Sequence, residues 1–256
     1  MKPRWRTDVE EYVMRKEISP VSVRFSACFC VLMAVFFCAS LVVTQPAFGD
    51  DNVQARQIVE KARMTLESFA GASEMEGFRS LMKDARGIFV SPQILRGAFI
   101  IGASGGSGVL LVRDRHKGDW TGPAFYTIGE ASFGFQIGGD ASEVILLAMT
   151  ERGVTALLSN SVKLGADVGI AVGPVGAGAD ASTANLSADI ISFSRSKGLY
   201  GGISLEGAVV AVREGLNKAY YGKNVNPSDI LIARLVRNDH SAGLRSMITK
   251  MAGGRN

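Results

Sequence analysis

Residues Ser192 to Val212 read SFSRSKGLYGGISLEGAVVAV. Two strand-like runs flank a basic turn, Arg195-Ser196-Lys197-Gly198, and Gly201, Gly202 and Gly207 interrupt the second run, Leu199 to Val212. Glycine weakens a strand unless another backbone must approach closely or the sheet must bend. The stretch therefore predicts a tightly packed, curved sheet with a cationic turn at its rim. Of 30 glycines in the 256 residues, 24 lie between Gly87 and Gly222. Bulky apolar residues interleave them, so the bias is a shift in composition and not a low-complexity tract.

The first 49 residues have a different character. Lys2, Arg4, Arg6, Arg15, Lys16 and Arg24 precede an uncharged run, Phe25 to Val43, and then Ala47-Phe48-Gly49. A basic lead, an apolar core and a small-x-small site are the parts of an export signal. Cleavage is expected after Gly49. An uncleaved N-terminal membrane anchor is the alternative, since 19 residues span a bilayer at ~1.5 Å per residue. Residues 1–49 thus read as signal peptide or anchor and residues 50–256 as one folded domain. That domain is expected to be exported, and periplasmic or membrane-associated.

Composition then narrows the partners. Cys28, Cys30 and Cys38 all lie in the apolar run, so the folded part has no disulfide framework and no thiolate metal site. Residues 50–256 carry 22 Lys+Arg against 20 Asp+Glu, a net charge of +2. This is not the broad basic footprint of a nucleic-acid binder. Attraction to an anionic membrane lipid has to come from local clusters.

Along the chain, Asn52 reads as an N-cap, and Ala55, Ile58, Val59, Ala62, Leu66 and Phe69 form one helical face. Ser73-x-x-Glu76 reads as a capping box for a second helix. Both helices read as packed on a sheet, with contact to an anionic membrane as the alternative. From Gly87 the period falls to two. Strands are expected at 87–90 (stopped by Ser91-Pro92), 97–103, 109–113, 124–128, 132–137, 144–149, 167–172, 173–181 and 188–194. Ser104 to Gly108 reads as a hairpin turn. Helices are expected at Glu151 to Leu158, Glu214 to Tyr220 and His240 to Met251, and Ser228 starts a turn leading into Asp229 to Arg237. Strands followed by helices without βαβ alternation predict an α+β fold. Its sheet is glycine-rich, mostly antiparallel and barrel-like, with helices at both ends.

Catalytic chemistry is poorly supplied. The two histidines, His116 and His240, stand in a charged loop and at a helix start, and a Ser-His-Asp arrangement would have to use one of them. Asp140, Glu143, Asp167, Asp180 and Asp189 are scattered, without calcium-loop spacing. Gly102 to Gly108 and Gly173 to Gly178 lack the Gly-Lys-Ser/Thr ending and the helix that a phosphate loop needs. No enzyme activity, cofactor or metal is expected. What remains are basic clusters: Lys83 with Arg86, Arg195 with Lys197, and Arg113, Arg115 and Lys117 near Trp120. Basic turns beside an amphipathic aromatic suit an interfacial lipid site, and a solvated surface is the plainer reading.

Several segments are similar to those of a known family. They are Ala85-Arg86-Gly87-Ile88-Phe89, Trp120-x-Gly122-Pro123-Ala124-Phe125, Gly134-Phe135-Gln136-Ile137-Gly138 and Gly173-Pro174-Val175-Gly176. Three more follow: Ser192-x-Ser194-Arg195-Ser196-Lys197-Gly198-Leu199-Tyr200-Gly201-Gly202, Leu205-Glu206-Gly207 and Tyr220-Tyr221-Gly222. In this order they resemble the SYLF family of lipid-binding domains, over nearly all of residues 50–256. Eukaryotic relatives bind phosphoinositides, and some yeast members bind and bundle actin. The resemblance implies a non-catalytic module that binds anionic phospholipid at a membrane surface. Lys83, Arg86, Arg195, Lys197 and Trp120 are the expected contacts. The alternative is an adaptor of the cell envelope that holds a protein partner.

Overall fold

Apolar residues run without a break along the middle of the central strands, and the sheet buries both of its faces. In the computed structural model, residues 50–98, 101–114, 117–133, 138–176, 187–201 and 204–253 are described. Residues 1–49, with the expected export signal, lie outside them, as do Arg115, His116, Asp180 and most of the Gly134 to Gly138 motif. Ile88, Val90, Val109, Leu111, Ile145, Leu147, Ile191 and Phe193 point into one core. Phe89, Leu110, Val112, Val144, Leu146 and Ile190 point into the other. A period of two puts neighbours on opposite faces, so two apolar layers need strands that are apolar throughout.

The described residues open with α1 (Asp51–Gly71), a 3-10 turn (Ser73–Met75) and α2 (Glu76–Met82). Four long strands follow: β1 (Gly87–Ala98), β2 (Ile101–Arg113), β3 (Trp120–Phe133) and β4 (Gly138–Ala148). After α3 (Glu151–Leu158) come β5 (Ser161–Lys163), β6 (Ile170–Val172), β7 (Ile190–Ser196), β8 (Leu199–Gly201) and β9 (Val209–Val212). The chain closes with α4 (Glu214–Tyr221), α5 (Pro227–Leu231), a 3-10 turn (Asp239–Ser241) and α6 (Ala242–Met251). The strands form one sheet in the order β5-β9-β3-β2-β1-β4-β7-β6, with β8 also on β7. All described pairings are antiparallel except β6 with β7. The sheet curls into a half-barrel, and the fold is α+β as expected. Side chains of α1, α2, α4 and α6 cover the first core.

Several boundaries differ from expectation, each for a non-local reason. Asp50, not Asn52, caps α1, accepting from the Asn52 amide at 3.0 Å. The Asn52 side chain instead donates to the Ala219 carbonyl of α4 at 2.8 Å. Ser73 makes no capping box. The 3-10 turn places Met75 in the core with no exposure, and no side chain caps α2. Ser91-Pro92 does not stop β1; a register shift there absorbs the residue that lacks an N–H.

Ser104 to Gly108 is no hairpin turn. It lies inside β2, paired on both sides. A Cβ on Gly108 would stand 2.5 Å from the Val90 carbonyl oxygen and 2.6 Å from the Phe89 ring, so the glycine makes room for that ring. The expected strand Leu199 to Val212 is two strands on opposite flanks of the sheet: β8 pairs with β7, and β9 pairs with β3 and β5. Lys197 and Gly198 turn β7 into β8 with φ of 49° and 79°, the left-handed pair of a tight hairpin. Ser228 lies inside the short helix α5, which ends at Leu231 and is started by an Asn226–Asp229 capping box.

Candidate functional site

Strand register sorts the expected site residues by position. Gly87, Val112, Ala148 and Ile190 form one row across the sheet, and Lys83 and Arg86 adjoin it. Leu95, Gly105 and Ala141 form another row, and Lys197 lies beside it, one residue past the Ser142–Ser196 pair. From Arg86 to Arg96 is ten residues of chain, roughly 30 Å of strand at ~3.3 Å per residue. The two expected basic pairs therefore occupy opposite ends of the sheet, and one flat surface does not reach both.

At the first end is an open groove of about 620 Å³. Its floor is apolar: Val112 and Leu231 are buried, Val154 and Leu158 are half-buried, and Ile232 is 55% exposed. Four cations stand around it, Lys83, Arg86, Arg113 and Arg234, with three carboxylates, Asp84, Asp114 and Glu151. Arg113 Nη1 donates to the Lys83 carbonyl at 2.7 Å, which satisfies an acceptor just past the end of α2. Arg86 Nη1 donates to Glu151 Oε1 at 2.9 Å, with both side chains about half exposed. Such a pair contributes at most about 1 kcal/mol and exchanges readily with another anion. Arg234 pairs with Asp114.

At the other end, Arg195 is not a free surface cation. Its guanidinium bonds to Glu143 and Ser68 and lies 5.6 Å from the centre of the Tyr200 ring. Tyr200 donates to the Ser68 carbonyl at 3.0 Å, and Thr65 donates to Glu143 at 2.9 Å. Phe69 meets the Tyr200 ring edge-on at 5.1 Å. These groups join α1 to β4, β7 and β8. The carboxylates that pair with Arg195 and Arg86 are Glu143 and Glu151. Lys197 is exposed in the turn, and Leu199 beyond it is 77% exposed. Leu95, 57% exposed, Arg96 and Asp140 border the same shallow pocket as Lys197. The Ser196 hydroxyl, then the Ala141 amide and the charges of Lys197 and Arg96, hold the Asp140 carboxyl below the usual carboxylate range.

Trp120 is corrected outright as a lipid contact. It is 4% exposed and belongs to the first core, because β3 turns its ring under the helices. Its indole N–H has no partner among the described residues. His240 lies 3.4 Å from Glu60 and 3.3 Å from the Tyr220 hydroxyl, between α4, α6 and α1. Among the described residues no group of three or more His, Cys, Asp or Glu side chains is placed to hold a metal ion. No described helix is long and apolar enough to cross a membrane. Arg234 at the groove, and Leu95 and Arg96 at the far end, escaped the sequence reading. Arg234 reaches the groove from 120 residues beyond Asp114, which no local pattern signals. Leu199 carried one signal, a leucine directly after a basic turn.

A family described as "Ysc84: Las17-binding protein actin regulator" matches residues 129–251. Protein YSC84 of Saccharomyces cerevisiae is 29% identical over 186 residues, which is 69% of this chain and 39% of that protein. SH3 domain-containing YSC84-like protein 1 of Xenopus laevis is 30% identical over 185 residues, 69% of this chain and 55% of that one. Its human counterpart is 31% identical over 140 residues, 54% and 41%. The chain spans about half the length, or less, of these relatives.

Proposed function

The chain belongs to the SYLF family, also described as Ysc84, and on that premise we propose that it is an exported, non-catalytic module that binds anionic phospholipid at a membrane surface. The observation that carries the reading is the far end of the sheet, where exposed Leu95 and Leu199 stand beside Arg96 and Lys197. Apolar side chains that enter the interface, flanked by cations that meet phosphates, are what a peripheral lipid contact needs. The charges are local. Glu130 lies 3.8 Å from Arg96, and Asp140 faces Lys197, so the leucines carry most of the attraction and the cations set orientation. Arg195 lies behind Lys197 and fastens β7 to β4 and α1. Cleavage after Gly49 releases the domain, and N-terminal sequencing of the exported protein should begin at Asp50.

Vesicle pelleting tests the reading. The chain should sediment with vesicles rich in phosphatidylglycerol and far less with phosphatidylcholine. A Leu95→Ser/Leu199→Ser variant with unchanged melting should lose sedimentation. Full retention by that variant sinks the assignment. The family description, which names a binding protein and actin regulator, favours a second reading, an envelope adaptor that holds a protein partner. A folded chain that ignores every vesicle yet retains an envelope protein would support that reading instead.

A further inference from the structure

The groove at the opposite end has no part in that membrane contact. The geometry points to a binding site there for a single-chain anionic amphiphile: one acyl chain on the floor, with its carboxylate or phosphate at the cationic mouth. This goes beyond the membrane-surface reading and stands or falls separately from it, because the two ends are roughly 30 Å of strand apart.

Three observations carry it. The groove, at about 620 Å³, has the size of a small-ligand site. Its floor holds five apolar side chains, Val112, Val154, Leu158, Leu231 and Ile232, and Ile232 is 55% exposed. Its mouth carries four cations against three carboxylates, a net charge of +1. The Arg86–Glu151 pair is half exposed, so an incoming anion can take over the guanidinium at little cost. Arg113 is held by the Lys83 carbonyl and keeps its charge at the mouth. A long acidic peptide would need cations spaced along the groove, whereas these gather at the junction of α2 with β1 and β2. One charged head with one apolar tail matches that layout.

Calorimetric titration of the purified chain with decanoate, dodecanoate and tetradecanoate, each below its aggregation concentration, tests the site. Affinity should rise by up to about fourfold per added methylene until the floor is covered. Dodecyl phosphate should bind and dodecyltrimethylammonium should bind at least tenfold more weakly, and comparing the two anions shows whether carboxylate or phosphate is preferred. Thr155→Trp fills the groove from an exposed position, and Ile232→Glu places a negative charge on its floor. Each should lower dodecanoate affinity at least tenfold without changing the melt, and either suffices if the other fails to fold. The Leu95→Ser/Leu199→Ser variant should bind dodecanoate like the parent. Absence of binding, no dependence on chain length, equal binding of the cation, or full binding by both groove variants would overturn the site. So would loss of dodecanoate binding in the leucine variant, which would move the ligand to the other end. An acidic peptide that binds the groove while the amphiphiles do not would overturn it too.

Discussion

Arg195 on β7 stands directly across from Glu143 on β4 and donates from Nε to its carboxylate, while Nη1 donates to the Ser68 hydroxyl on α1. One residue pair thus ties the longest of the described helices to the sheet. A turn that reads as two surface cations holds a structural one, Arg195, and an exposed one, Lys197.

Replacing Arg195 should therefore change stability and not lipid affinity. Arg195→Gln leaves Glu143 with Thr65 alone and frees Ser68 and Tyr200 from the guanidinium. Hydrogen bonds to charged groups contribute about 1.5–3 kcal/mol. A loss of about 2 kcal/mol should lower the melting temperature by roughly 4–8 °C in a domain of this size. A melt checks this. Vesicle binding of the folded variant should stay within twofold.

Neutralising the two basic pairs separately should give unequal results. Each Lys or Arg near an anionic surface is worth about 1 kcal/mol, or roughly fivefold in affinity. Lys197→Gln with Arg96→Gln should cost vesicle affinity up to about 25-fold at low salt. Lys83→Gln with Arg86→Gln should cost almost none. Pelleting at two salt concentrations reads both, and the difference should shrink as the Debye length falls below ~10 Å. An equal loss in the two double variants would contradict the separation of the ends.

Asp140 gives a pH signature. Its carboxyl pKa is depressed in the folded state, chiefly by the Ser196 hydroxyl. A depressed carboxyl adds stability above the unfolded value of about 3.9, and that stability is lost as pH falls through the lower, folded value. Ser196→Ala should raise the folded pKa toward 3.9, and carbon NMR of the Asp140 carboxyl checks it. The variant's stability deficit should be present near neutral pH and shrink in acid. An unmoved titration would mean that Lys197 and Arg96 hold the carboxylate instead.

The glycines of β2 and β8 should respond differently to alanine. Gly108→Ala drives a methyl to within 2.6 Å of the Phe89 ring and 2.5 Å of the Val90 carbonyl. Overpacking of this kind costs about 1–3 kcal/mol. Gly201→Ala meets nothing within 4 Å, and the change there should be under ~0.5 kcal/mol. Urea melts of the two variants decide the matter.

By itself, the order of residues determined the class of this protein: a glycine-rich, mostly antiparallel sheet with helices before and after it, and a place in one family. Those features rest on local signals. Short apolar runs mark parts of β1 through β4, helical spacing marks α1, and the motif around Arg195 to Gly202 marks the family. Tertiary structure alone decided where the charges went. Ser104 to Gly108 reads as a turn because glycine permits one, and becomes strand because Phe89 needs the space. Leu199 to Val212 reads as one strand and divides between two flanks of the sheet, because β7 and β3 each have an edge to pair. Trp120 reads as an interfacial aromatic and is buried, since burial depends on which helices cover β3. Lys83 and Lys197 look alike in sequence yet lie at opposite ends, and Arg234 joins the groove from far along the chain. Pairing register and helix cover are contacts between distant residues, and a residue's neighbours in sequence carry no record of them.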